Sequence, residues 1–278
     1  MRSPFPKVEP QALVKHEMTP SPPSGPGQTR SYRRLAAVRR LAAFHVAVLE
    51  TDLWIQAEED LSALVREEVL AQRGYIEQYI RQSPAFRTSL VPWEDDRPAP
   101  EIVRRMIAAG RAAGVGPMAA VAGAVAETVG EALQRFSREV VVENGGDIFM
   151  VLNEEVTVGL WAGPSPLSMR VGLRVNPQGA PLGVCTSSGT VGHSLSRGRA
   201  DAVCILARSC ALADAAATAT ANRIAGAAAI PGGIRFARAI PGVEGVAAVC
   251  GDRLGAWGNL RLVGLDRRKK LEFPRQKD

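Results

Sequence analysis

Three short stretches of this sequence place oxygen-bearing side chains and glycines as chemistry would need them. In the first, Glu143-Asn144-Gly145-Gly146-Asp147 lies between the apolar runs VVV and IFMVL. Asn-Gly between two such runs is a strong hairpin signal, because both central residues of the tight turn adopt positive φ. A plain turn and a binding site fit these residues equally. The second glycine lets a ligand approach the backbone, and Asp147 sets a carboxylate beside that opening. Asn144, Gly145 and Gly146 are therefore candidate ligand contacts, and Asp147 a candidate for acid–base work.

The second stretch, Thr186-Ser187-Ser188-Gly189-Thr190, follows an apolar run directly. Its successive N–H groups can form an anion-binding nest for phosphate, although clusters of this composition also serve as plain loops. His193 lies three residues further on. His16 falls in a proline-rich segment and His45 in an apolar run, so a histidine acid or base would be His193. In the third stretch, LADAAATATAN, Asp214 and Thr218 are four residues apart and share one helical face with only alanines between them. A carboxylate and a hydroxyl are hard oxygen ligands suited to magnesium, with water and phosphate completing its shell. The bland reading makes Asp214 an acid favoured by the dipole at its own helix N-terminus. A carboxylate left without a partner in a buried alanine-rich helix would be costly, which favours function.

The elements that position these residues are legible in outline. FHVAVL and LWIQA read as paired strands, and apolar spacing predicts a helix from Glu58 to Gln82, ended by Ser83-Pro84. Further helices are expected over about Glu101–Ala113, Met118–Phe136 and about Cys210–Ala225, the last two rich in small residues. Strands are expected in REVVVENGGDIFMVL, EVTVGLWAG, MRVGLRV, GVCTSSG, DAVCILA, GVAAVCGD and NLRLVGL. Helices and strands are grouped rather than alternating, which predicts an α+β fold with a largely antiparallel sheet. The first thirty residues hold seven of the 19 prolines, too few apolar groups to offset ordering. Residues 1–30 are therefore expected to form a disordered tail, and 31–278 a single domain.

The formal charge of +6 does not point to nucleic acid, because residues 1–40 already account for all of it. A basic run, Arg267 to Lys270, lies near the other end. Cys185, Cys204, Cys210 and Cys250 form no CxxC pair and no zinc-type cluster, consistent with reduced thiols. No apolar run reaches the length of a membrane span. A cytoplasmic protein without nucleic-acid or membrane partners is the expectation.

In order along the chain, FHVAVLETDLWI, APEIVRRM, GPMAAVAGAVAE, VVENGGDIFMV, GVCTSSGTVGHSLS, RADAV and LADAAATATAN resemble the uncharacterised family of ApbE-related proteins. That family is related to the ApbE flavin transferases, which use magnesium and FAD to attach FMN to a protein threonine. The resemblance implies an ApbE-like (T-fold-like) architecture, magnesium at Asp214 and Thr218, and a nucleotide beside Gly145, Gly146 and Asp147. The transferase Thr-Ser-Gly matches Thr186, Ser188 and Gly189 with one extra serine. The lysine that flavin transferases carry before Gly-Gly-Asp has no counterpart in Ala122–Ala126, and GHSLSRGRAD replaces their His-x-x-Asp-Pro-x-Thr-Gly in shortened form. Two functions follow as expectations. One is a magnesium-dependent protein acting on FAD or a related nucleotide, by FMN transfer to a protein acceptor or FAD hydrolysis. The other is a non-catalytic accessory or carrier protein in sulfide assimilation and homocysteine formation.

Overall fold

The computed structural model describes residues 38, 40–94, 98–188 and 198–265. The expected tail, Gly189, Thr190, His193 and the basic run after Leu265 lie outside the described residues. The chain opens with β1 (Ala42–Val48) and β2 (Thr51–Ala57), paired in one register from Ala42–Ala57 to Val48–Thr51. Alternation in β1 buries Phe44, Val46 and Val48 and leaves Ala43, His45 and Ala47 outside. α1 (Ser62–Gln82) buries Val65, Val69, Ile76 and Tyr79 at helical spacing. It begins four residues later than the spacing predicts. After α2 (Ala85–Thr88), α3 (Glu101–Ala113) stops where Gly114 takes φ 74°.

A 3₁₀ turn at Pro117–Ala120 precedes α4 (Val121–Leu133), so the helix expected over Met118–Phe136 is shorter at both ends. The strands β3 (Val140–Asn144), β4 (Asp147–Val151), β5 (Val156–Gly159), β6 (Val171–Val175), β7 (Leu182–Ser187) and β8 (Ala202–Ala207) follow. α5 (Cys210–Ala221) also ends before its expected limit. Its last residues tighten instead into i→i+3 turns, with the Arg223 N–H donating to Thr220 O and the Ile224 N–H to Ala221 O. α6 (Ile230–Ala239), β9 (Val243–Cys250), β10 (Arg253–Gly258) and β11 (Arg261–Gly264) complete the described chain.

Eight strands form one sheet in the order β1-β2-β3-β4-β7-β8-β9-β10, antiparallel at every step. The helices cover one face, where Val142, Phe149, Cys185 and Ile205 meet Val129, Leu133, Ala215 and Ala219. On the other face Val141, Met150, Val184 and Leu206 meet Val158, Leu173 and Val175 of a three-stranded sheet, β11-β6-β5. The architecture is α+β with antiparallel sheets, as expected, and the second sheet was not foreseen. Small residues in α4 do what they suggested. A Cβ on Gly130 would sit 2.1 Å from the Phe149 ring, so glycine lets α4 rest on the sheet. No single helix among the described residues is long and apolar enough to cross a membrane.

Candidate functional site

The β3–β4 hairpin puts Gly145 (φ 70°) and Gly146 (φ 123°) at its two central positions, with Asn144 paired to Asp147 across it. The turn is thus centred one residue later than Asn-Gly predicts. Asn144 is the last residue of β3, and its side-chain amide donates to the Ala122 carbonyl at 3.1 Å. A Cβ on Gly146 would meet only the Thr186 carbonyl oxygen, at 3.8 Å, so the space above this turn is open.

Asp147 begins β4 and pairs with Cys185 of β7, on the helix-covered face. Its carboxylate accepts hydrogen bonds from the Cys185 thiol and the Thr186 backbone N–H. Asp214, in the second turn of α5, faces the same point from the helix layer. Its Oδ2 accepts from the Gly123 N–H at 2.9 Å, and the Ala122 N–H donates to the same carboxylate. The side chain therefore caps the first turn of α4 rather than serving the dipole of its own helix, and the unpartnered acid inferred from sequence has two backbone partners. A Cβ on Gly123 would lie 2.4 Å from the Cys210 carbonyl oxygen and 2.8 Å from Asp214 Cβ, so glycine is what lets α4 and α5 meet here.

Both residues are half-buried, Asp147 at the start of its strand and Asp214 in its helix. Burial, with the Glu143 charge adding to it, pushes Asp147 up to about 7 against the stabilising hydrogen bonds. Burial and the neighbouring Asp147 charge hold Asp214 well above the usual carboxylate range. Neither acid has a salt-bridge partner among the described residues. Two repelling, desolvated carboxyls that no described cation meets form a place where a proton or a metal ion is favoured.

Thr218, one turn along α5, brings its Oγ1 to 3.5 Å from Ser187 Oγ at the end of β7. Ser188 follows directly, half-buried. Thr186 has the opposite parity. Its hydroxyl lies beside Cys204 on the face covered by the second sheet, so Thr186 meets the site through its backbone N–H. The structure thus gathers Asn144, Gly146, Asp147, Ser187, Asp214 and Thr218 and adds the backbone of Ala122, Gly123 and Thr186.

Two supports had no sequence signal of their own. Glu127 of α4 accepts from Ser209 Oγ and from the Ala211 N–H, both at 2.9 Å, and meets Arg105 of α3 at 3.2 Å. It fixes the start of α5 and hence the height of Asp214. Beneath the carboxyls, Cys185 Sγ lies 3.4 Å from both the Sγ and the carbonyl oxygen of Cys210. Burial pushes the Cys210 thiol up to about 11 and Cys185 well above its ordinary value, so both stay protonated.

The donor set suits magnesium, which accepts one or two carboxylates and leaves other positions to water and substrate phosphates. Among the described residues no group of three His, Cys, Asp or Glu forms a complete protein cage. Two carboxyls and a hydroxyl are what the site offers.

A family model described as "AbpE bacteria" matches residues 33–233. The chain is 40% identical over 224 residues to a UPF0280 protein of Methanocella arvoryzae, covering 80% of this chain and 90% of that one. With a UPF0280 protein of Methanothermobacter thermautotrophicus it shares 44% identity over 209 residues, 73% of this chain and 81% of the other. The apo flavinyl transferase ApbE of Pseudomonas stutzeri superposes with a TM-score of 0.54 at 15% identity, covering 79% of this chain and 94% of its own. A mutant of the flavin transferase ApbE from Vibrio cholerae gives 0.50 at 12% identity, covering 79% and 97%. At such identities the likeness is one of fold. The family model and the close relatives go further, and the chain belongs to the UPF0280 family of ApbE-related proteins.

Proposed function

We propose that this protein binds FAD or a related nucleotide through a magnesium ion held by Asp214 and Thr218, and acts on its pyrophosphate. The observation that carries this reading is the pair Asp147 and Asp214, brought from sheet and helix to one point with no cationic side chain among the described residues to neutralise them. A pyrophosphate alone would be repelled there. Bound magnesium would supply the positive charge that joins the two and draws electrons from the reacting phosphorus.

The remaining work falls to the chain. The Ala122 and Gly123 N–H groups fix the Asp214 carboxylate, so its orientation does not depend on the ligand. Open space above Gly146 admits phosphate oxygens close to the backbone. Asp147, near neutrality in its proton affinity, accepts the proton of an attacking hydroxyl, either water or the threonine of an acceptor protein. The new oxygen–phosphorus bond forms on the FMN side, the bridging oxygen leaves with AMP, and the proton resides on Asp147. His193 and the Gly189-Thr190 part of the loop complete the proposed set as acid or base and as phosphate contacts.

Calorimetry tests this directly. Wild-type protein is expected to bind FAD with magnesium and not with EDTA, and prolonged incubation to release AMP. Failure to bind FAD under either condition refutes the proposal and favours the carrier function.

A further inference from the structure

A second concavity lies at the other end of the same strands. It measures about 310 Å³ and is lined by Leu182 at the start of β7, Leu206 near the end of β8 and Glu244 in β9, with Arg208 beside them. Ser187, which meets the candidate magnesium site, is five residues along β7 from Leu182, roughly 16 Å of strand. The volume is near the lower bound of roughly 300–1,000 Å³ for small-molecule pockets, too small for a dinucleotide.

Its walls are built and not incidental. Arg208 is anchored through Nη1 to the carbonyls of Pro177 and Pro181, at 3.4 and 3.3 Å, and through Nε to Glu244 Oε1 at 2.8 Å. Gly258 (φ 100°) presses against the Glu244 backbone so tightly that a Cβ would lie 2.1 Å from its carbonyl oxygen, and the Asn259 N–H donates to that same oxygen. This contact sets Asn259 in the lining, to which Asn176 also belongs.

The ion pair is only half used. Among the described residues nothing meets the two N–H groups of Arg208 Nη2 or the Glu244 Oε2. A guanidinium edge and a carboxylate oxygen that no described residue meets therefore stand side by side above Leu182 and Leu206, which are nearly fully buried and offer a ligand almost no apolar surface. That arrangement is complementary to one small ligand class. A carboxylate meets the guanidinium edge, an ammonium meets Glu244, and the carboxamides of Asn176 and Asn259 serve the remaining donors and acceptors.

We infer that this pocket is a binding site for the zwitterionic head of a free L-α-amino acid, separate from the proposed nucleotide site. The test titrates ¹⁵N-labelled full-length protein with individual L-amino acids at millimolar concentration, in EDTA, and follows amide resonances. At least one of them should give saturable shifts centred on Leu182, Leu206, Arg208, Glu244 and Asn259. The N-acetyl derivative and the methyl ester of the same amino acid each lack one charge and should bind roughly ten- to a hundredfold more weakly. Glu244→Gln keeps the shape of the wall. It should weaken the amino acid similarly and leave the N-acetyl derivative unaffected, which distinguishes a lost ammonium contact from a damaged fold. The inference is overturned if no amino acid shifts these resonances, or if N-acetylation or Glu244→Gln leaves affinity unchanged.

Discussion

Replacing Asp147 by asparagine should make the metal-free protein more stable above neutral pH. The Asp147 carboxyl stands at about 7 in the fold against an ordinary 3.8. The native state therefore keeps a proton that the unfolded chain releases above about pH 4. Stability contributed by this proton falls as pH rises from about 4 to about 7, and beyond that the full cost of an ionised Asp147 remains. At roughly 1.4 kcal/mol per pH unit the span corresponds to ~4 kcal/mol, and sharing of the titration with Asp214 brings the expected gain to about 2–4 kcal/mol. Asparagine keeps an oxygen to accept the Thr186 N–H, so the hydrogen bond that positions the residue survives. Urea unfolding in EDTA at about pH 5 and about pH 8 measures both variants; the difference should be small at the lower pH and large at the higher. Magnesium should then stabilise both proteins, which keep Asp214 and Thr218, by ~2.7 kcal/mol at a hundredfold excess over the respective Kd. An Asp147→Asn protein that is less stable at about pH 8, or a wild type whose stability does not fall with rising pH, would refute the electrostatic account of the pair.

Asp214→Ala should abolish magnesium and FAD binding by calorimetry, and Thr218→Ala should weaken them less, because water replaces a neutral hydroxyl more readily than a charged ligand. Gly145→Val should lower stability in urea by ~1–3 kcal/mol, since a β-branched residue is strained at φ 70°. Gly123→Ala should be destabilising and should also weaken magnesium binding. Its added methyl meets the Cys210 carbonyl and forces α4 away from Asp214; unchanged binding with a lower Tm would separate packing from positioning.

Much of the site was readable in the residues because side chains carry it. Asp214 and Thr218 at four-residue spacing share a helix face, and Gly-Gly-Asp marks a hairpin, whatever surrounds them. What escaped reading has physical reasons. The Ala122 and Gly123 N–H groups that hold Asp214 belong to the backbone and leave no trace in residue type. The face that Thr186 presents was not readable, because β7 is buried from Leu182 to Cys185 on both sides and no polar alternation reveals its parity. The turn slipped by one residue because Asn-Gly and Gly-Gly both tolerate positive φ, and pairing of Asn144 with Asp147 decided between them. β10 was missed since RLGAWG has two glycines and little alternation, and its strand character comes from pairing along β9.

The contact between Cys185 and Cys210 gives the molecule a built-in clock. Both thiols are sealed between β7 and α5, the two elements that carry Ser187, Asp214 and Thr218. An alkylating reagent can reach them only when helix and strand part, so their modification rate reads the opening equilibrium of this seam rather than thiol chemistry. Half-buried Cys250 reacts without such opening and serves as the internal reference. Any ligand that ties α5 to the sheet will slow the buried pair and leave Cys250 unchanged, which turns ligand discovery into a mass-spectrometric measurement needing no assumption about the reaction performed.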